Sequence, residues 1–263
     1  MSTLAFHDVT VTFGSGRTAV DAVRNVTLEI PSGRITGLVG ESGSGKSTLA
    51  RAAVGLNEPT SGRITLDGID ITNARGEAVR TRRRIQMIFQ DPNSCLNPRR
   101  TVGDALAEAL AAGAALRREA KPRGTERRAE IERLLQAVSL PGAYAGRMPQ
   151  QLSGGQRQRI AIARALAAGP EVILADEITS ALDVSVQGSV LNLLAELQRE
   201  LGLTVLFVSH NLAVVRHVCD RVAVLLHGEL IEEGETLEVL EHPQEEYTRR
   251  LLSAVPRIGV PLG

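Results

Sequence analysis

Residues 40–48 read Gly-Glu-Ser-Gly-Ser-Gly-Lys-Ser-Thr. Gly40, Gly45, Lys46 and Ser47 satisfy the GxxxxGK[ST] template, with Gly43 inside it. The run before it, residues 35–39, is short and apolar like a buried parallel strand. The run after it, residues 47–55, carries helix formers and ends in glycine. A loop between strand and helix is the setting this pattern needs. Glycine lets backbone N–H groups turn inward without a Cβ in the way. The helix N-terminus adds partial positive charge. The loop is therefore a phosphate cradle formed by Gly40, Glu41, Ser42, Gly43, Ser44, Gly45, Lys46, Ser47 and Thr48. Lys46 is placed to reach the β- and γ-phosphates of ATP, Ser47 to hold Mg²⁺, and Thr48 to support the adjacent phosphate.

A second constellation lies at the ends of three apolar runs. Residues 172–176 are apolar up to Asp176, and Glu177 follows. A phosphate-loop fold needs a carboxylate on a neighbouring strand tip to order Mg²⁺, which suits Asp176. Glu177 is then placed to act as general base toward an attacking water. A single strand-end carboxylate is commonly just solvated, but here an apolar strand and a phosphate loop share one chain. Residues 207–210 end another apolar run at His210, which could donate to the γ-phosphate. Gln90 follows the run 85–89 and could contact Mg²⁺ or water. A strand-end histidine or glutamine taken alone is more often incidental.

A second glycine turn follows much later: Leu152, Ser153, Gly154, Gly155 and Gln156 precede a helical run from Arg157 to about residue 168. Ser153 is a good N-cap. The turn offers backbone donors, a hydroxyl and a positive dipole end to an anion. One chain with a full cradle has no need of a second, so this turn makes sense if it completes the ATP site of another subunit.

The elements that must position these groups follow from patterning. Leu4 to Phe13 and residues 26–30 alternate apolar and polar, like antiparallel strands around a turn at residues 14–16. Residues 62–68 read as strand plus turn, and 85–89 as a buried strand. From about residue 91 to 165 the chain turns helical and rich in Ala, Glu and Arg. Within it, residues 117–128 carry Pro122 and Gly124 and read as an exposed, charged loop. Strands return at 171–175 and 204–208, with a long helix over 184–201 between them. Strand–helix–strand repetition argues a parallel α/β sheet. The expected fold is an α/β phosphate-loop NTPase core with a parallel sheet, an N-terminal antiparallel β subdomain and an inserted α-helical subdomain. Expected boundaries are 1–90 and 160–228 for the core, 91–159 for the helical subdomain, and 229–263 for a tail of one strand and two short helices.

Composition excludes several classes. Thirty basic and thirty acidic residues balance, so no global field favours nucleic acid. Aromatics are 2% of the chain, too few for base-stacking platforms. Hydrophobic residues make up 43%, enough for a core, yet no apolar run reaches the ~18 residues of a membrane span. The start of the chain lacks the charged and apolar regions of a secretory signal. Cys95 and Cys219 lie far apart without metal spacing and read as reduced thiols of a cytosolic protein.

Together the motifs resemble the ATP-binding cassette (ABC) family over nearly the whole chain. The order matches: phosphate loop 40–48, Gln90, signature 152–156, strand carboxylate Asp176, catalytic Glu177, the segment 180–183 ending in Asp183, and switch His210. The resemblance implies that Phe13 stacks on adenine. It also implies a head-to-tail dimer with a second ABC ATPase subunit, identical or homologous, holding two ATP molecules between each cradle and the opposite signature. Asp183 belongs to that shared seam. A narrower resemblance, carried by residues 89–99, 179–187, 242–244 and 247–252, is to the oligopeptide, dipeptide and nickel importer group. In that group ATPase subunits pair beneath two permeases fed by an extracytoplasmic solute-binding protein, on the cytoplasmic face of the inner membrane. The arginine-rich stretch 80–88 is similar to the second type of ATPase subunit. Departures from the family pattern are Ile178 for the usual proline, Cys95 for serine, and Glu245 and Glu246 for His-Pro. The chain also ends at Gly263 without the cysteine-bearing extension of some members, so no metal cluster is expected. Ile178 is expected to matter little, since the proline carries no charge. Competing readings are an exporter ATPase, a soluble cassette acting on DNA or ribosomes, and a phosphate-loop kinase. Sustained heptads and a second cassette are missing for the soluble class, and the signature has no task in a kinase.

Overall fold

The computed structural model describes residues 2–253. In chain order the elements are β1 (Leu4–Phe13), β2 (Val20–Ile30), β3 (Ile35–Val39), α1 (Lys46–Ala53), β4 (Ser61–Leu66), β5 (Ile69–Asp70), α2 (Glu77–Arg83), β6 (Ile85–Ile88), α3 (Val102–Arg117), α4 (Gly124–Ala137), α5 (Gly154–Ala167), β7 (Val172–Asp176), α6 (Val184–Leu201), β8 (Thr204–Ser209), α7 (Leu212–Val218), β9 (Arg221–Leu226), β10 (Glu229–Glu235), α8 (Thr236–Glu241) and α9 (Glu246–Ser253).

Two sheets carry these elements. One is antiparallel, in the order β2-β1-β4-β5. The other runs β10-β9-β3-β8-β7-β6, parallel except for the β10 edge. β3, β7 and β8 are buried along their whole length, which explains why their sequences are continuous apolar runs and do not alternate. Their two faces serve two cores. Ile173, Ala175, Val205 and Phe207 face a core shared with α3, α4, α5, α6 and α7. Leu174, Leu206, Val208 and Leu38 face a second core, shared with Leu49 and Ala53 of α1 and with Leu4, Phe6, Val26 and Ile64 of the antiparallel sheet. Helix α1 is thus packed between the sheets, which anchors the C-terminal end of the loop preceding it.

Two expectations need correction. The strand at 85–89 is an edge strand, with Gln86 and Met87 only partly covered. The charged loop expected over 117–128 is shorter: α3 runs to Arg117 and α4 starts at Gly124. Helix α5 runs unbroken through residue 159. Strand β9, a core strand beside β3, was not read from the sequence although residues 222–225 are all apolar. From Glu229 to Ser253 the chain forms β10, α8 and α9, while residues 254–263 of the expected tail lie outside the described residues. Among the described residues, no helix is long and apolar enough to cross a membrane.

Candidate active site

The cradle is built by three close approaches. Gly40 leaves β3 with φ 150°, and a Cβ there would lie 2.2 Å from the carbonyl oxygen of Leu225. Gly45 caps α1 with φ 101°, and its Cβ would lie 2.2 Å from the carbonyl of Ala22. Both neighbours are backbone, so neither can move aside. The Gly228 amide donates to the Ser44 carbonyl at 3.0 Å and holds the loop from the third side.

Lys46 is buried to 4% exposure. Its ammonium turns into its own loop and donates to the carbonyls of Gly40 at 2.9 Å and Glu41 at 2.6 Å. Burial lowers its pKa, opposed by the negative charge of Glu177, Asp176 and Glu41. Lys46 is thus a partly desolvated ammonium ringed by carbonyl acceptors. One residue on, Ser47 donates to Asp176 at 2.7 Å. Asp176 is 2% exposed at the tip of β7, and burial raises its pKa against the opposing pull of Ser47 and Arg51. Arg51, one helical turn after Ser47, approaches the other carboxylate oxygen at 3.6 Å. Its place at i+4 from Ser47 is legible in the sequence, yet it was not singled out there.

Glu177 follows with φ 48°, left-handed backbone uncommon for a non-glycine residue. Its amide donates to Val208 of β8 at 3.1 Å. The kink turns its carboxylate out of the strand line toward two side chains. Gln90 donates to one oxygen at 3.2 Å, and His210 Nδ1 lies 3.3 Å from the other. Ser180, missed as a site residue, receives a hydrogen bond from Gln90 at 3.2 Å and donates to the Glu177 carbonyl at 2.9 Å. The structure therefore brings Lys46, Ser47, Asp176, Glu177, Gln90 and His210 together at the carboxyl ends of β3, β6, β7 and β8. This is where open parallel sheets bind ligands. Ile178, in the proline position, is buried in the larger core.

Phe13 stands half exposed at the end of β1, paired across the sheet with the exposed Val20. Val20 lies two residues before Ala22, the residue beneath Gly45, so β2 ties this apolar pair to the cradle. The signature turn sits apart, on the helical insert. Ser153 caps α5, accepting from the Gln156 amide at 3.3 Å, while its own amide donates to the Gln156 side chain at 3.0 Å. The remaining amide nitrogen of Gln156 donates to Tyr144 at 3.1 Å, so that side chain is turned into the subdomain. Gly155 is buried against α6, whereas Ser153 is exposed. Asp183 is exposed at the N-terminus of α6 and makes no side-chain cap.

A cleft of about 380 Å³ separates β6 from the helical insert. Arg83, Gln86, Met87, Cys95, Glu108 and Arg164 are among the side chains that line it. Cys95 is half-buried and burial pushes its thiol pKa up, as expected of an inert thiol.

Fold and site define a phosphate-loop nucleotide hydrolase with an inserted helical subdomain. The family model described as "ABC transporter" matches residues 23–180. A protein of Brucella abortus (strain 2308), provisionally named a peptide import ATP-binding protein, is 49% identical over 244 residues, covering 92% of this chain and 71% of the relative. A similarly named protein of Brucella ovis is 49% identical over 235 residues, covering 88% of this chain and 72% of that one. Among solved structures, the dimeric post-hydrolysis state of the ATP-binding cassette MJ0796 bound to ADP and Pi superposes with a TM-score of 0.77 at 37% identity, covering 89% and 98% of the two chains. The cbiO1 protein from Clostridium perfringens, part of the ABC transporter complex cbiONQ, superposes at 0.78 with 29% identity, covering 97% and 96%. The chain belongs to the ABC transporter family. It is an ATP-binding cassette ATPase of that family.

Proposed function

We propose that this chain is the ATP-hydrolysing subunit of an importer for peptides or metal (nickel) chelates, working beneath separate permeases at the cytoplasmic face of the inner membrane. The carrying observation is that Gln90 and His210 converge on the Glu177 carboxylate beside the Ser47–Asp176 pair. Glu177 takes the proton of the attacking water as the water oxygen bonds to the γ-phosphorus and the bond from that phosphorus to the β,γ-bridging oxygen breaks, giving phosphate and ADP. His210 and Gln90 hold that carboxylate in line, and Lys46 neutralises phosphate charge as a point cation. Phe13 stacks on the adenine.

The oxygen donors of Ser47 and Asp176 fit Mg²⁺, and Gln90, whose side chain reaches Glu177 beside them, would be the further ligand. This ion takes few protein ligands and completes its shell with water and phosphate oxygens. When bound it supplies charge neutralisation at the β- and γ-phosphates. Ser153, Gly154 and the α5 N-terminus face outward, as they must to serve the ATP held by a second cassette, with Asp183 at the same seam. Dimeric relatives support that pairing. The cleft between β6 and the helical insert, with Arg83, Glu108 and Arg164 on its walls, is where a short permease helix would dock. Import of peptides is supported by the names of the Brucella relatives, and an extracytoplasmic solute-binding protein is the corresponding indirect partner.

Glu177→Gln tests the chemistry. It should keep ATP binding, form an ATP-dependent dimer by light scattering, and lose turnover by about 10²-fold or more. Wild-type turnover in that variant would remove Glu177 as the base. Uptake of labelled peptides and of nickel chelates by cells with and without the chain then decides the solute class.

A further inference from the structure

The tail helix reaches back to the phosphate loop. Tyr247, in the first turn of α9, is 8% exposed and its ring belongs to the larger core. Its hydroxyl accepts a hydrogen bond from the backbone amide of Glu41 at 3.0 Å, across 206 residues of chain. The carbonyl of the same residue accepts from Lys46 at 2.6 Å. Glu41 is thus gripped at its amide by the tail and at its carbonyl by the phosphate-binding lysine.

The helix that carries Tyr247 is itself anchored. The Glu232 carboxylate on β10 accepts from the amide of Gln244 at 2.7 Å and of Glu245 at 3.3 Å. Arg249 folds back onto the carbonyls of Pro243 at 3.1 Å and Gln244 at 2.6 Å. Thr248, beside Tyr247, is fully buried. A hydroxyl held this firmly acts as a fixed post for a glycine-rich loop whose other anchors are backbone contacts at Gly40, Ser44 and Gly45.

We infer that Tyr247 is a positioning residue of the phosphate loop: its hydroxyl fixes the Glu41 peptide, and so the carbonyl against which Lys46 rests, making the C-terminal helix a determinant of polyphosphate affinity. The inference rests on the reading of residues 40–48 as the cradle. Tyr247 touches no reacting atom. Its contribution is pre-organisation, since a loop already ordered loses less freedom when the polyphosphate binds. The effect therefore falls on KM and on nucleotide affinity and leaves kcat to Glu177.

The test uses the full chain with ATP and Mg²⁺, comparing wild type, Tyr247→Phe and Lys46→Ala. Phenylalanine keeps the ring in the core and removes only the hydroxyl. Tyr247→Phe should raise KM and weaken binding of a fluorescent ATP analogue by about two- to tenfold, the worth of one hydrogen bond. Its kcat should stay within about twofold, with a melting temperature lowered by no more than about 2–4 °C and faster hydrogen exchange at the Glu41 amide. Lys46→Ala should lose nucleotide binding altogether. Unchanged KM in Tyr247→Phe beside a dead Lys46→Ala overturns the role of Tyr247, whereas full binding by Lys46→Ala overturns the cradle itself. Fast exchange of the Glu41 amide in the nucleotide-free wild type overturns the inference without any variant.

Discussion

The hydroxyl of Ser47 and the carboxylate of Asp176 meet at 2.7 Å, although 129 residues of chain separate them. The contact joins the first turn of α1 to the tip of β7, and it does so in a place where a carboxylate is costly to ionise. Burial is the largest influence on Asp176 and raises its pKa above the ordinary 3.8. A carboxyl with a raised folded pKa holds its proton more tightly folded than unfolded. Its ionisation therefore opposes folding, growing as pH rises from 3.8 and complete above the folded pKa. Such a charge is the cost expected of a site kept for chemistry, in keeping with the Mg²⁺-binding role proposed for Asp176.

Asp176→Asn follows from that balance. The variant should lose ATPase activity by about 10²-fold or more, as expected for removing a group that holds charge in the transition state. Without nucleotide it should melt no lower than wild type at pH 7. The two melting curves should converge as pH falls toward 3.8, where the wild-type carboxyl also becomes neutral. Scanning calorimetry across pH measures this. A variant that melts well below wild type at pH 7 would show that the Ser47 and Arg51 contacts outweigh the burial.

The opposite end of the sheet shows the opposite sign. Arg84 donates through Nε to Glu171 at 2.7 Å and through its second nitrogen to Asp67 at 2.8 Å, and Ser2 hydrogen-bonds both carboxylates. This knot ties the N-terminal strand, the β4–β5 turn and the start of β7 together. The Arg84 hydrogen bond is the main reason that Glu171 sits below the usual 4.5. Its stabilisation is present above the unfolded pKa of 4.5 and is lost as pH falls through the depressed folded value. Glu171 is partly exposed, so its worth is screened to about 1 kcal/mol. Glu171→Gln should lower Tm by about 2–4 °C at pH 7. The difference should vanish in acid, and ATP turnover measured below the melting range should be unaffected. A pH-independent Tm difference would assign the loss to packing.

What the sequence disclosed depends on how locally each feature is encoded. The phosphate loop is local: its glycines stand where backbone carbonyls of Ala22 and Leu225 leave no room for a side chain. The fully buried strands β7 and β8 are equally legible, since continuous apolar residues can only be covered on both faces. Helix α4 is less so. Pro122 and Gly124 punctuate residues 117–128, yet Gly124, with φ 52°, starts the helix instead of ending a loop. The left-handed backbone of Glu177 left no trace, because the usual glycine or asparagine marker is absent there and tertiary contacts enforce the turn. Tyr247 could be seen in the tail, but nothing local says that its hydroxyl ends on Glu41.

Gly155 carries the sharpest ambiguity between nucleotide contact and packing. In the signature turn it was expected to face ATP. In the structure a Cβ at Gly155 would lie 2.4 Å from Cγ1 of Val186 on α6. A valine on a helix has one strongly preferred rotamer and cannot swing away. Nearby, a Cβ on Gly154 would be 3.3 Å from Leu182, whose carbonyl is held by Gln187 at 2.8 Å. The signature turn and the segment after Glu177 thus pack as one unit within the protomer. Gly155→Ala should destabilise by about 1–3 kcal/mol through overpacking and reduce ATPase activity by displacing the α5 N-terminus. Removing the obstructing methyl groups with Val186→Ala in the same chain should restore the melting temperature. If turnover returns with it, Gly155 is glycine because α6 lies against it. If stability returns while turnover does not, the missing side chain matters at the proposed seam between two cassettes, where the signature turn would meet the partner's ATP.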